Sequence, residues 1–239
     1  MDRILSKIID DIITRARKEK RNFLLEPESK TIFNELGLIT PEFAIATSDK
    51  EAIAIAKKFG YPVVMKILSP QIIHKTDAGG VKLNLKTEED VVKAFNETIS
   101  NAKDYKKDAE IKGVLIEKMV TPSTEIIIGV TRDPTFGPAI MFGLGGIFVE
   151  LLKDVSFRIA PLEKKDVKEM IHEIKALPIL QGFRGGPNVN LDLIEEILLK
   201  VSKFVIDYID DILEIDLNPI FAYEDKLLTV DARIILTDK

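Results

Sequence analysis

Two apolar runs, Thr124-Glu-Ile-Ile-Ile-Gly-Val-Thr131 and Ala139-Ile-Met-Phe142, constrain the fold of this chain more than any other feature. Both read as strands, and only Arg132-Asp133-Pro134-Thr-Phe136-Gly-Pro138 separates them. A parallel crossover needs a dozen residues or more, so a connection this short makes the pair antiparallel. The runs Asp211–Asp216 and Leu227–Asp231, on either side of Asn218-Pro219 and a turn at Glu224-Asp225, are also closely linked. Helical patterns alternate with such strands elsewhere. The chain is therefore expected to form an α/β fold of mixed α+β lobes rather than a plain doubly wound sheet.

Residues 3–20 place Ile4, Leu5, Ile8, Ile9, Ile12, Ile13 and Ala16 at helical spacing, ahead of a basic end from Arg15 to Arg21. This amphipathic helix either packs on its own domain or docks a partner. Further helices are expected at Glu28–Leu36, stopped by Gly37, from the Ser48-x-x-Glu51 capping box to Gly60, and from Thr87 to about Lys103. Two more are expected at Lys164–Leu177 and about Leu191–Ile209. Tyr61–Leu68, Val81–Lys86 and Lys112–Val120 read as strands. The expected division is an N-terminal helix at 1–21, one lobe at 22–115 and a second lobe at 116–239.

Composition removes several classes of function. The chain has no cysteine and two histidines, which excludes disulfides, thiolate nucleophiles and Cys- or His-rich metal sites. Any metal should be hard and oxygen-ligated, with Mg²⁺ the natural choice. A net charge of −5 without a basic stripe argues against nucleic acid. The longest uncharged run, Pro134–Val149, is short and glycine-rich for a membrane span, and the N-terminus is broken by charges. The chain reads as cytoplasmic. Its Ile/Lys/Glu bias suggests a thermophile.

The most chemically informative stretch is Lys66-Ile-Leu-Ser-Pro-Gln-Ile-Ile-His74-Lys-Thr-Asp77-Ala-Gly79-Gly80. Lys66 lies near the end of a strand that otherwise reads as buried, so it either snorkels to water or needs an anion. His74 is either a loop histidine bonded to backbone or a nucleophile with its neutral imidazole populated near pH 7. Glu117 and Glu125 lie on or beside apolar strands, where salt bridges with lysines would explain them. Gly143-Leu-Gly145-Gly146-Ile-Phe-Val-Glu150 matches neither a Walker loop nor a dinucleotide fingerprint. It is either a tight turn or a backbone approach to phosphate. Asp216 and Asn218 share one face by period-2 counting, and Asp231 converges with them if the last strands pair. These three serve turns, or ligate Mg²⁺ with nucleotide phosphates completing the shell.

The full motif set resembles the β subunit of ADP-forming acetyl-CoA synthetases, within the NDP-forming acyl-CoA synthetase superfamily and the ATP-grasp fold. The resemblance rests on His74-Lys-Thr-Asp77-x-Gly-Gly-Val, Arg132-Asp-Pro-x-Phe-Gly-Pro and Phe142-Gly-x-Gly-Gly-x-x-Val-Glu150. Asp154-Val-x-x-Arg158-x-x-Pro-Leu and Gly182-x-Arg184-Gly complete it, so that it runs from about Asn22 to Asp231.

The resemblance implies a nucleotide-binding subunit with the nucleotide between two lobes. It also implies a CoA-binding α subunit on another chain, in an α2β2 heterotetramer. In such enzymes acyl-CoA, ADP and phosphate give acid, CoA and ATP, by way of a phosphohistidine at the position of His74. Asp77 and Asp216 would support that catalysis. Lys66, Gly79, Gly80, Glu117, Lys118, Met119, Val120 and Glu125 would line the nucleotide site, and Asn218 and Asp231 would hold Mg²⁺. Without a CoA-binding domain, the chain is not expected to catalyse the full reaction alone. A stand-alone carboxylate ligase and a non-catalytic nucleotide-binding regulatory subunit are the alternatives.

Overall fold

The computed structural model describes residues 3–146, 149 and 151–238, with side chains from residue 6 onward. Contacts divide the chain into two units, one of residues 41–121 and one joining residues 1–40 to 122–239.

The smaller unit contains β1 (Phe43–Ala46), α3 (Asp49–Phe59), β2 (Val63–Leu68), β3 (Val81–Leu85), α4 (Glu88–Tyr105) and β4 (Gly113–Lys118). Its sheet runs β1-β4-β2-β3, and every neighbour is antiparallel. Ser48 Oγ accepts the amide of Glu51 to start α3, and Thr87 and Asp90 cap α4 reciprocally. Ala52 and Ala56 of α3 and Val91 and Ala94 of α4 pack with Val63, Met65, Val114 and Ile116 on one sheet face.

The larger unit opens with α1 (Arg3–Lys18) and α2 (Glu26–Glu35). It continues as β5 (Thr124–Asp133), β6 (Gly137–Leu144), β7 (Val155–Ile159), α5 (Lys164–Glu173), the short α6 (Leu177–Leu180) and α7 (Leu191–Asp207). Strands β8 (Ile212–Ala222), β9 (Leu227–Thr229) and β10 (Ala232–Leu236) end it. The sheet order is β10-β8-β5-β6-β7, with β9 also paired to β8. The tightly linked β5 and β6 pair antiparallel from Ile126–Leu144 to Asp133–Gly137.

Several expectations need correction. Residues 22–40 group with the C-terminal lobe, and the later change of unit follows Thr121 rather than residue 115. The reason is local: Leu24 donates to the Ile234 carbonyl, Thr229 donates to that of Ile39, and Ile32 and Phe33 enter the larger core. Helix α1 likewise belongs there, since Ile9, Ile12, Ile13 and Ala16 are buried in the same core. A fully buried isoleucine contributes about 2 kcal/mol, so this face stabilises its own unit. The expected helix from Lys164 to Leu177 breaks after Glu173, because Asp154 accepts the amides of Lys175 and Ala176 at 2.8 and 2.7 Å. Strands β1, β7 and β10 were not expected, and the strand expected at Leu227–Asp231 ends at Thr229.

The start of α2 depends on Arg21. Arg21 is 6% exposed, and its guanidinium donates to both oxygens of Glu28 at 2.8 and 2.9 Å. Glu28 in turn accepts the Leu25 amide. Burial opposes the guanidinium charge, but the hydrogen bonds and charges of Glu28 and Glu19 outweigh it, so its pKa is raised. Removing one member of such a pair strands the other charge. Arg21→Ala should therefore lower the unfolding free energy by about 3 kcal/mol in urea titrations.

Candidate functional site

On β2, all six residues are buried, including Lys66. The register sets Val64 opposite Glu117 and Lys66 opposite Leu115, so Lys66 and Glu117 are diagonal neighbours on one sheet face. Their Nζ–Oε2 distance is 3.0 Å, with side-chain exposures of 9% and 3%. The other face of these strands meets α3 and α4. Of the two readings open for Lys66, the anion is the one found, and it is Glu117, on β4. Beyond Glu117, the amides of Lys118 and Met119 donate to the carbonyls of Glu42 and Pro62, and Val120 follows just before the change of unit.

His74 and Asp77 are exposed on the turn between β2 and β3. Among the described residues, neither side chain hydrogen-bonds the other, so their spacing places them on one turn without pairing them. The turn is closed by backbone: Ala78 donates to the His74 carbonyl, Gly79 to Thr76 and Gly80 to Lys75. This changes the reading of Gly79 and Gly80. Both amides are already used within the turn, which leaves no free pair of donors for a phosphate. Their missing side chains have local causes. Gly79 has φ +60°, and a Cβ there would lie 2.7 Å from Asn101 Nδ2, while one on Gly80 would lie 2.4 Å from Ile67 Cγ2.

The larger sheet has its own polar face. Asp216 on β8 stands opposite Gly129 on β5 and Arg233 on β10. Asn218 follows on the same face. Ala232 pairs with Leu217, which puts Asp231 next in line toward Asn218. Asp231 Oδ1 accepts the Ala232 amide at 2.8 Å. The Asp216 carboxyl is pushed up, first by desolvation and then by the charges of Asp231 and Glu214, while Arg233 opposes the shift from 3.6 Å. A face of oxygen donors with excess negative charge suits a hard cation. Among the described residues no three acidic or histidine side chains form a metal cage. Were Asn218 and Asp231 to hold Mg²⁺, two protein oxygens would leave the remaining positions to water and phosphate, as that ion prefers. Arg233 was missed in the sequence, although period-2 counting from Asp231 would have placed it on this face.

Glu125 lies on β5 opposite Phe221, and its carbonyl accepts the Gly145 amide at 2.8 Å. A Cβ on Gly145 would approach Glu125 Cβ to 3.0 Å. The described part of the glycine loop thus packs on β5, and Ile147, Phe148 and Glu150 of that motif lie outside the described residues. Two other motifs act as clamps. Asp154 holds the amides that follow α5, and Arg158 pairs with Glu169 and Glu173 of α5. Asp133 accepts the amides of Thr135 and Phe136, shaping the β5–β6 turn. His172 Nδ1 lies 2.7 Å from the Lys168 carbonyl on the surface of α5.

Comparison with known proteins matches residues 15–236 to the ATP-grasp domain family. The β subunit of acetate–CoA ligase [ADP-forming] I from Pyrococcus furiosus is 52% identical over 236 residues, spanning 99% of this chain and all of that protein. Acetate–CoA ligase [ADP-forming] I from Archaeoglobus fulgidus is 41% identical over 98% of this chain, which spans 35% of that longer protein. Among solved structures, the dinucleotide-forming acetyl-coenzyme A synthetase 1 of Ca. Korarchaeum cryptofilum, with coenzyme A and Mg-AMPPCP, aligns with a TM-score of 0.83. It is 41% identical, over 96% of this chain and 100% of that one. No helix among the described residues is long and apolar enough to cross a membrane.

The Lys66–Glu117 pair yields a stability prediction. Lys66→Met removes this partner from a buried carboxylate and should cost about 3–5 kcal/mol in chemical denaturation. The double variant Lys66→Met/Glu117→Leu should recover most of that loss, because an apolar pair carries no desolvation cost.

Proposed function

This chain belongs to the ATP-grasp family, among the β subunits of ADP-forming acetate–CoA ligases, and from that membership we propose that it makes ATP by passing a phosphoryl group from His74 to ADP. A CoA-binding subunit, in a heterotetramer, carries the acyl half of the reaction. There acyl-CoA and phosphate give acyl phosphate and CoA. Attack by a histidine of that subunit releases the acid and forms a first phosphohistidine. Its P–N bond breaks as a P–N bond to His74 forms. The bond to His74 then breaks as a terminal oxygen of ADP bonds to phosphorus, giving ATP and free imidazole.

The observation that carries this reading is the buried cation. A lysine inside a strand, held ready by a glutamate, is a pre-placed charge for nucleotide phosphates, and phosphoryl transfer depends mainly on positioning and charge neutralisation. Lys66 contacts those phosphates. Glu117 holds the ammonium in place, and the Lys118–Val120 segment borders the base. Asn218 and Asp231 would hold Mg²⁺, whose charge would neutralise phosphate oxygens. Asp216 and Arg233 set the charge of the surface beside these ligands. Exposure of His74 suits a group that must meet a donor on another chain. Division of one long transfer into hops spares acyl phosphate and ADP from having to meet. The Korarchaeum protein, solved with coenzyme A and Mg-AMPPCP and with a phosphohistidine segment pointing towards its nucleotide-binding site, supports transfer through a phosphohistidine to nucleotide.

The test reconstitutes the chain with its CoA-binding subunit and follows ATP formation from acetyl-CoA, ADP and phosphate. His74→Ala and His74→Asn should each lose at least 10³-fold in rate, on the order of 4 kcal/mol of barrier, while binding ADP like the wild type. Normal ATP formation by both variants would remove His74 from the path.

A further inference from the structure

The turn that carries His74 is held at both ends. At its start, the Glu110 amide donates to Gln71 Oε1 at 2.9 Å, and Ile72 is buried. At its end, Ala78 is buried with Ile72 against Ile67 and Ala102. His74, Thr76 and Asp77 stand exposed between these anchors. A further hold comes from Asn101 on α4, whose Nδ2 donates to the Gly79 carbonyl at 3.0 Å.

Local geometry makes this contact specific. Gly79 has φ +60° and lacks the Cβ that would collide with Asn101, so the amide and the turn backbone fit only because position 79 is glycine. Gly80 is pressed against Ile67, whose amide donates to its carbonyl at 2.7 Å. Each of these residues also donates back into the turn, to Thr76 and Lys75, while Ala78 donates to His74 itself. Restraint therefore passes from α4 through Gly79 to the backbone of His74. Asparagine is a poor helix former, yet it stands inside α4 beside Ala102, where alanine would suit the helix better. Its side-chain donor is what the position uses.

We propose that Asn101 is a positioning residue for His74: its bond to Gly79 fixes the turn, so that the imidazole is presented at one place to both phosphoryl donor and acceptor. The proposal rests on His74 being the phosphoryl carrier. Misplacing a reacting group by about 1 Å can cost about 100-fold in rate, so losing a hold one step removed from His74 should be visible in transfer and not in nucleotide binding.

The experiment uses the complex with the CoA-binding subunit and the variants Asn101→Ala and Asn101→Asp. The aspartate keeps size and shape but turns an acceptor toward the Gly79 carbonyl, so a folded chain with a misplaced turn is separable from a misfolded one. Measurements are kcat and KM for ADP, plus hydrogen exchange at the amides of Ala78, Gly79 and Gly80. Both variants should lose about 10-fold or more in kcat, keep KM for ADP within about twofold, and exchange faster at Gly79 and Gly80. Unchanged kcat alongside faster exchange would overturn the positioning role, as would a rise in KM that accounts for the whole loss. Unchanged exchange would show that Asn101 does not hold the turn. If His74→Ala makes ATP normally, the carrier reading fails on its own, and exchange at Gly79 and Gly80 still decides whether Asn101 fixes the turn.

Discussion

A lysine and a glutamate withdrawn from water on one sheet face are the constraint around which the small unit is arranged. Each charge is costly to bury alone, so Lys66 on β2 and Glu117 on β4 bind the register of these strands to their electrostatics. A slip of one residue would turn one of them toward Val63 and Ile116, into the helix-covered core. The pair therefore specifies the sheet more than it stabilises it. In the proposed function the same cation meets nucleotide phosphates, so one arrangement serves both fold and chemistry.

Glycine-rich stretches invite a phosphate-cradle reading, and here the backbone directs it elsewhere. Gly79 and Gly80 spend their amides inside the turn and their open sides on Asn101 and Ile67. Gly145 spends its amide and open side on Glu125. The glycines set the places of His74 and Glu125, and in the proposed function charge neutralisation falls to side chains such as Lys66.

Much of this was legible in the sequence because it rests on short-range rules. The seven residues between the two apolar runs that became β5 and β6 required antiparallel pairing, and a lysine in an apolar run pointed to an anion or a route to water, of which the anion is found. What was not legible depends on contacts distant in sequence. The short β1, with only Ala46 of its four residues buried, carries no clear alternation and is a strand because β4 lies beside it. Residues 22–40 join the C-terminal lobe through bonds to Ile234 and Thr229, which no local pattern announces. Strand β8 continues through Asn218 and Pro219, beyond the expected end at Asp216, because β5 and β9 pair with it on either side of that point. Asn101 left no signal, since its meaning appears only against Gly79.

The most direct test of the central claim locates the phosphoryl group. The complex with the CoA-binding subunit is mixed with acetyl-CoA and ³²P-phosphate, without ADP, and the acid-labile label is mapped by peptide. Label on His74 of this chain, discharged to ATP when ADP is added, is the predicted result. Label confined to the partner subunit, yet fully discharged to ATP, would contradict the account.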